Sequence, residues 1–350
     1  MNWDIIGHRW AVQLLQSHIR NEQVRHAYLF TGPAGIGKRT IALRFAQALC
    51  CTDPPEVAEY CGECRACTLI QDGTFSELHL ISTAEHERAI KVDQIRGLLR
   101  KVSLTPYEGR YHIVLLPRFH VATEQAANAL LKTLEEPPRQ VILFLTAESV
   151  ESLLPTIVSR CEVVPLRQLA VSELEVALES RIGNAEKSVL LAGLSAGRPG
   201  YALRLAQDEA KLELRANRIE ELISVIGFDR IERFNFIERW ERSLRRKFDK
   251  LVDRRSECIS VIELWLSFWR DLLLSSLKAR EPESNPDRVS DIHHLASGLT
   301  GDEILNATRS LERSIDTIQR NANLRLVLEN LMIDLPHLQQ KVSPTAKNSN

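Results

Sequence analysis

Ala27-Tyr28-Leu29-Phe30-Thr31-Gly32-Pro33-Ala34-Gly35-Ile36-Gly37-Lys38-Arg39-Thr40 decides the fold. The apolar run at 27–30 reads as a short strand that breaks into a glycine-rich turn. Residues 40–49 then place Ile41, Phe45, Ala48 and Leu49 at helical spacing. Gly32-x-x-x-x-Gly37-Lys38 is the core of a P-loop. Gly32, Gly35 and Gly37 let backbone N–H groups turn inward around phosphate oxygens, and Lys38 brings a cation to the β- and γ-phosphates. The start of the following helix adds its dipole. One position departs from the pattern. The residue after the lysine should carry a hydroxyl for magnesium, but it is Arg39, and Thr40 follows one residue late, rotated by about 100° on a helix. The loop suits ATP or ADP without a competent magnesium site.

Outward from this loop, further strands are expected at 78–81, 112–116 and 141–146, with a helix at 124–135 stopped by Pro137-Pro138. Strands separated by helices predict an α/β domain with a parallel sheet. A P-loop ATPase also needs acids at a neighbouring strand end, one for magnesium and one for the attacking water. Residues 112–116 run instead into Pro117-Arg118-Phe119-His120. The segment at 78–81 leads to Ser82-Thr83, and 141–145 leads to Thr146-Ala147-Glu148, with no acid at the immediate strand end. Glu124 and Glu148 are the nearest candidates, and neither is expected at a strand end. The chain is therefore expected to lack ATP hydrolysis of its own.

The formal net charge is -1, so nucleic acid would have to be met by a local patch. Hydrophobic residues at 44% and charged residues at 26% are ordinary for a globular chain. No basic stretch followed by a long apolar one opens the sequence, and no apolar run is long enough for a bilayer, so a cytoplasmic protein with no membrane contact is expected. Five of the seven cysteines lie between Cys50 and Cys67. Cys61-Gly-Glu-Cys64-Arg-Ala-Cys67 gives two overlapping C-x-x-C spacings, which with Cys51 suit a closed, structural Zn²⁺ site. Cys50 is the alternative fourth ligand; Cys161 and Cys258 read as free thiols.

Three segments together resemble the bacterial DNA polymerase III clamp-loader family of AAA+ proteins, which open the sliding clamp and place it on primed DNA. His26-Ala-Tyr-Leu-Phe-Thr-Gly-Pro33 looks like the approach to that family's P-loop. Asn128-Ala-Leu-Leu-Lys-Thr-Leu-Glu-Glu-Pro-Pro138 is close to its helix after the second acidic motif. Leu154-Pro-Thr-Ile-Val-Ser-Arg160-Cys161 resembles its Ser-Arg-Cys arginine-finger segment. The resemblance covers most of the chain. It places the family's Asp-Glu pair on Pro117 and Arg118, and its lid arginine near Gly200, so these groups are missing. Arg160 is kept. That combination looks like the delta-prime branch, which closes one side of the motor ring. The resemblance implies a finger supplied in trans to a neighbour. It also implies a zinc module at 51–67, and a heteropentamer with gamma/tau-like motor and delta-like subunits that meets primed DNA, and the sliding clamp indirectly.

The same resemblance implies three parts: an AAA+ domain at 1–165, a small helical lid at 166–208 and an all-α collar at 209–340, followed by a polar tail at 341–350. Residues 172–181 and 185–194 read as lid helices, closed by a turn at 197–200. A loop rich in Pro, Ser and Asn is expected near 280–286. Leu324, Val327, Leu328 and Leu331 form an ordinary core stripe, and Trp240, Trp265 and Trp269 are expected to pack among the collar helices. Arg96, in Ile90-Lys-Val-Asp-Gln-Ile-Arg96, reads equally well as a DNA phosphate contact or as part of a solvated helix face. Two rival functions remain in view: a hydrolysing gamma/tau-like motor subunit using Glu124 or Glu148, and a zinc-dependent DNA-binding protein with a vestigial P-loop.

Overall fold

In the computed structural model, the structure describes residues 3–81, 89–103, 105–279 and 284–338. The tail at 341–350, residues 82–83 and most of the loop expected at 280–286 lie outside the described residues. The chain forms two compact units, Met1–Asn184 with Ser195–Leu203, and Ala185–Leu194 with Arg204–Asn350. The segment read as a separate lid is shared between them.

The first unit alternates helix and strand: α1 (Arg9–Arg20), β1 (Ala27–Thr31), α2 (Lys38–Cys50), α3 (Arg65–Asp72), β2 (Leu78–Leu80), α4 (Val92–Val102), β3 (His112–Leu116), α5 (Glu124–Glu135), β4 (Val141–Ala147), α6 (Pro155–Val158) and β5 (Glu162–Pro165). The strands make a five-stranded sheet in the order β2-β3-β4-β1-β5, all pairs parallel. A sheet buried on both faces needs apolar residues at successive positions. β1, β3 and β4 are buried along their whole length. Alternate residues feed two cores. Tyr28, Phe30, Ile113, Leu115 and Phe144 pack on one side with Phe45 of α2, whereas Leu29, Val114, Leu116, Leu143 and Leu145 pack on the other with Leu130 and Leu134 of α5. This is a parallel α/β fold with a helical C-terminal part.

α7 (Val171–Ile182), α8 (Ala185–Ser195) and α9 (Pro199–Ala206) follow. Residues 199–200, read from sequence as part of a turn, instead begin α9. Proline suits the first turn of a helix, where its missing N–H has no partner to lose. The second unit is helical: α10 (Glu209–Gly227), α11 (Arg230–Lys247), α12 (Leu251–Ser276), α13 (Val289–Gly298), α14 (Gly301–Gln319) and α15 (Leu324–Asp334). Trp240, Trp265 and Trp269 are buried in its core, as are Leu324, Val327, Leu328 and Leu331. Arg233 lies buried within the same unit. Its guanidinium donates to the carbonyls of Met332 at 2.7 Å, Leu335 at 2.6 Å and Pro336 at 2.7 Å, so it satisfies the end of α15. Among the described residues no helix is long and apolar enough to cross a membrane.

Candidate functional site

The glycine-rich turn leaves the C-terminal end of β1 and enters α2. Gly32, Gly35 and Gly37 all have positive φ, at 139°, 80° and 110°. A Cβ at Gly32 would stand 2.3 Å from the Leu166 carbonyl oxygen, so only glycine fits there. Ile36 anchors the turn in the core, and the buried His8 ring pairs through Nε2 with the Ile36 carbonyl at 3.1 Å. Lys38 folds inward, donating to the Gly32 carbonyl and, at 2.9 Å, to that of Pro33. Burial lowers its pKa, and Glu148 works against that shift. The turn has the backbone form that a phosphate cradle requires. Arg39 and Thr40 are both exposed, at the first turn of α2.

The magnesium side of the site is different. β3 ends at Leu116, and Pro117 and Arg118 follow. Arg118 adopts a left-handed conformation at φ 53°, and its backbone N–H donates to Thr146 Oγ1 at 2.9 Å. His120 stands nearby with its Nδ1 buried and, among the described residues, without a hydrogen-bond partner. Burial lowers its pKa; Glu148 opposes this, while Arg118 and Lys38 add to it. The fourth strand is longer than the sequence pattern predicts. β4 runs on to Ala147, so Glu148 directly follows the strand end and lies within electrostatic reach of Lys38. The extension comes from pairing, since Phe30 and Thr31 of β1 hold Thr146 and Ala147 in register. Glu124, by contrast, is exposed in the first turn of α5.

Gly200 comes into contact with the loop from α9. The Tyr201 N–H donates to the Gly35 carbonyl at 3.0 Å, and a Cβ at Gly200 would stand 2.9 Å from that oxygen. No sequence signal marks this approach beyond the glycine itself.

Arg160 occupies the other end of the sheet. It follows α6 and precedes β5, whereas the phosphate loop follows β1. The two strands are parallel, with Tyr28 opposite Glu162 and Thr31 opposite Pro165. The 4 residues of β5 therefore separate them by about 13 Å of strand, and the true gap is larger. Arg96 lies on the exposed face of α4, one turn from the exposed Arg100.

The sulfurs of Cys51, Cys61, Cys64 and Cys67 lie within 4.8 Å of one another. Tetrahedral Zn²⁺ with bonds of about 2.3 Å sets its sulfurs about 3.8 Å apart. The Cys51–Cys61, Cys51–Cys64 and Cys61–Cys67 separations are 3.5, 3.9 and 4.0 Å, which fits that ion and is far from disulfide length. Backbone N–H groups of Cys61 and Cys64 point at the Cys51 and Cys61 sulfurs. Within the group the thiols split: burial pushes Cys64 up but hydrogen bonds from Thr52 and Cys67 outweigh it and bring it down to about 6, whereas burial raises Cys51 and Cys67. Cys50 is excluded from the group. It is buried, its thiol is pushed up to about 12 mainly by burial, and it packs in the core under the sheet.

A family profile described as "DNA polymerase III, delta subunit" matches residues 7–170. The DNA polymerase III subunit delta' of Pseudomonas aeruginosa is 41% identical over 200 residues, covering 57% of this chain and 60% of that protein. The chain is similar in sequence to delta' subunits of DNA polymerase III. These relatives are DNA polymerase III subunits, as the resemblance at residues 26–33, 128–138 and 154–161 leads one to expect. The Bacillus subtilis delta' subunit matches at 27% identity, across 93% of this chain and 95% of its own length. The Pseudomonas match spans less than two thirds of that relative. A gamma subunit-related protein from Thermotoga maritima shares the fold, with a TM-score of 0.51, 18% identity and coverage of 92% and 97%. The AAA+ fold expected from the sequence is the fold of the chain.

Proposed function

We propose that this chain is a delta-prime-like stator of a DNA polymerase III clamp loader. In this reading it supports ATP-driven placement of the sliding clamp on primed DNA, does not hydrolyse ATP itself and supplies Arg160 in trans to a motor subunit. The observation that carries the reading is the position of Arg160. It stands at the opposite end of the sheet from its own phosphate loop, so a phosphate that it reaches belongs to another chain. Three features of the loop support the lack of hydrolysis. Arg39 replaces the magnesium hydroxyl, Pro117-Arg118 replaces acids at the end of β3, and Gly200 stands where the resemblance expects a lid arginine. The cradle itself suits a nucleotide phosphate, so an idle ATP or ADP is compatible with this role.

The zinc cluster is read as structural, because four cysteine ligands leave no open position for substrate. The three-part division into AAA+ domain, lid and collar belongs to the same proposal, as do the gamma/tau-like and delta-like partners, the cytoplasmic location and an Arg96 contact with DNA phosphate. Magnesium-ATPase assays of the purified chain, and of the complex reconstituted with its partner subunits, test the proposal. The expected result is hydrolysis only by the complex, reduced by Arg160→Ala; hydrolysis by the chain alone would overturn it. One observation favours a motor subunit instead, namely Glu148 at the end of β4 near Lys38. If the chain hydrolyses ATP and Glu148→Gln abolishes that activity, the motor reading takes its place.

A further inference from the structure

Arg160 is held by its own chain from two sides. Its Nη1 donates to the Thr156 carbonyl at 2.9 Å and to Ser159 Oγ at 3.3 Å, and its Nη2 donates to Glu135 Oε1 at 2.8 Å. Thr156 and Ser159 belong to the short turn that carries the arginine. Glu135 comes from a different element, 25 residues earlier. It is the last residue of α5, and Glu136-Pro137-Pro138 follows, so the prolines end the helix at the carboxylate. α5 is itself fixed in the core through Ala126, Ala127, Leu130 and Leu134. The acceptor is thus carried on a packed helix rather than on a free loop.

A guanidinium has five N–H donors in one plane. Three of Arg160's contacts are within the chain, which leaves two donors on a group whose side chain is 35% exposed. Fixing the plane while keeping donors free is what a group that must meet a phosphate oxygen on a neighbouring chain requires. An unpaired arginine of this length would lose rotamer freedom only on contact with that phosphate.

We propose that Glu135 is a positioning residue for Arg160, setting the guanidinium before a neighbouring subunit's nucleotide arrives. The proposal rests on the reading of Arg160 as a finger in trans. The opposite role, in which the carboxylate sequesters the arginine, predicts the opposite sign on mutation.

The test uses the complex reconstituted with its partner subunits and compares wild type, Glu135→Ala, Glu135→Gln, Arg160→Ala and the Glu135→Ala/Arg160→Ala double variant. Steady-state ATPase gives kcat and KM, and thermal unfolding of each free variant reports folding. An exposed ion pair of this kind sets the scale at about twofold to fivefold. Glu135→Ala is expected to lower kcat by that factor with KM unchanged, and Glu135→Gln, which keeps an acceptor oxygen, to recover most of it. In the double variant the Glu135 effect is expected to vanish, so its kcat equals that of Arg160→Ala. A Glu135→Ala complex as fast as wild type or faster overturns the proposal. So does a double variant slower than Arg160→Ala by the full Glu135 factor, since the glutamate would then act independently. If Arg160→Ala itself leaves kcat unchanged, the finger reading fails and Glu135 has nothing to position.

Discussion

Gly200→Ala should destabilise the chain although alanine is the better helix former. The substituted Cβ would stand 2.9 Å from the Gly35 carbonyl oxygen, 3.5 Å from its carbon and 3.8 Å from the Gly37 nitrogen. The nearest of these atoms is backbone in a turn held by buried Ile36, so it cannot swing aside as a side-chain tip would. α9 must move away from the loop, which weakens the 3.0 Å bond from the Tyr201 N–H to Gly35. Overpacking costs about 1–3 kcal/mol, and loss of the hydrogen bond about 0.5–1.5 kcal/mol. Alanine in a helix gives back about 0.5–1 kcal/mol. The net expectation is a destabilisation of about 1–2 kcal/mol, less than the sum because one movement relieves the clash and breaks the bond. Gly97→Ala is the control. Gly97 lies in α4, where an added Cβ meets nothing within 4 Å, so the same substitution should stabilise by about 0.5–1 kcal/mol. Urea unfolding of the two variants gives the comparison, and hydrogen exchange at the Tyr201 amide locates the effect. Equal stability of the two variants, with Tyr201 protection unchanged, would refute the close approach of α9 to the phosphate loop.

The zinc site predicts one Zn²⁺ per chain by native mass spectrometry. Cys61→Ser should lose the ion and Cys50→Ser should keep it, because the Cys50 thiol lies outside the sulfur cluster; zinc retained by Cys61→Ser would contradict the assignment. Stability should also fall in mild acid. Burial holds the pKa of His8, His79 and His120 below the ordinary 6.5, so the unfolded chain takes up protons first as pH drops below that value. Stability is fully present above about 6.5 and is lost as pH falls through the folded values; melting temperatures between pH 7.5 and 5.5 check this. His8→Gln, which keeps a donor for the Ile36 carbonyl, should flatten part of that slope, and an unchanged slope would exclude His8 as a contributor.

The glycine-rich turn, four of the five strands and the clustering of Cys51, Cys61, Cys64 and Cys67 were legible in the sequence because each depends on neighbouring residues. Glycines at fixed spacing, apolar runs and C-x-x-C pairs carry their meaning locally. The fourth strand was read one residue short, since only its pairing with Phe30 and Thr31 extends β4 to Ala147 and brings Glu148 to the strand end. The contacts of Gly200 with Gly35 and of Arg160 with Glu135 join distant elements and leave no periodicity to read. The opposition of Arg160 and Gly32 across the sheet needed the parallel register of β1 and β5, and β5, four residues long and only half-buried at Glu162 and Val163, is too short to announce itself.

In the proposed role the chain contributes an arginine to another subunit's ATP site while leaving its own idle. The most direct measurement is steady-state magnesium-ATPase of the reconstituted complex carrying Arg160→Ala, beside the purified wild-type chain alone. The expected result is no hydrolysis above background by the chain alone, and turnover at the neighbouring site lowered at least about tenfold by Arg160→Ala. Full complex activity with Arg160→Ala, or magnesium-dependent hydrolysis by the isolated chain, would contradict it.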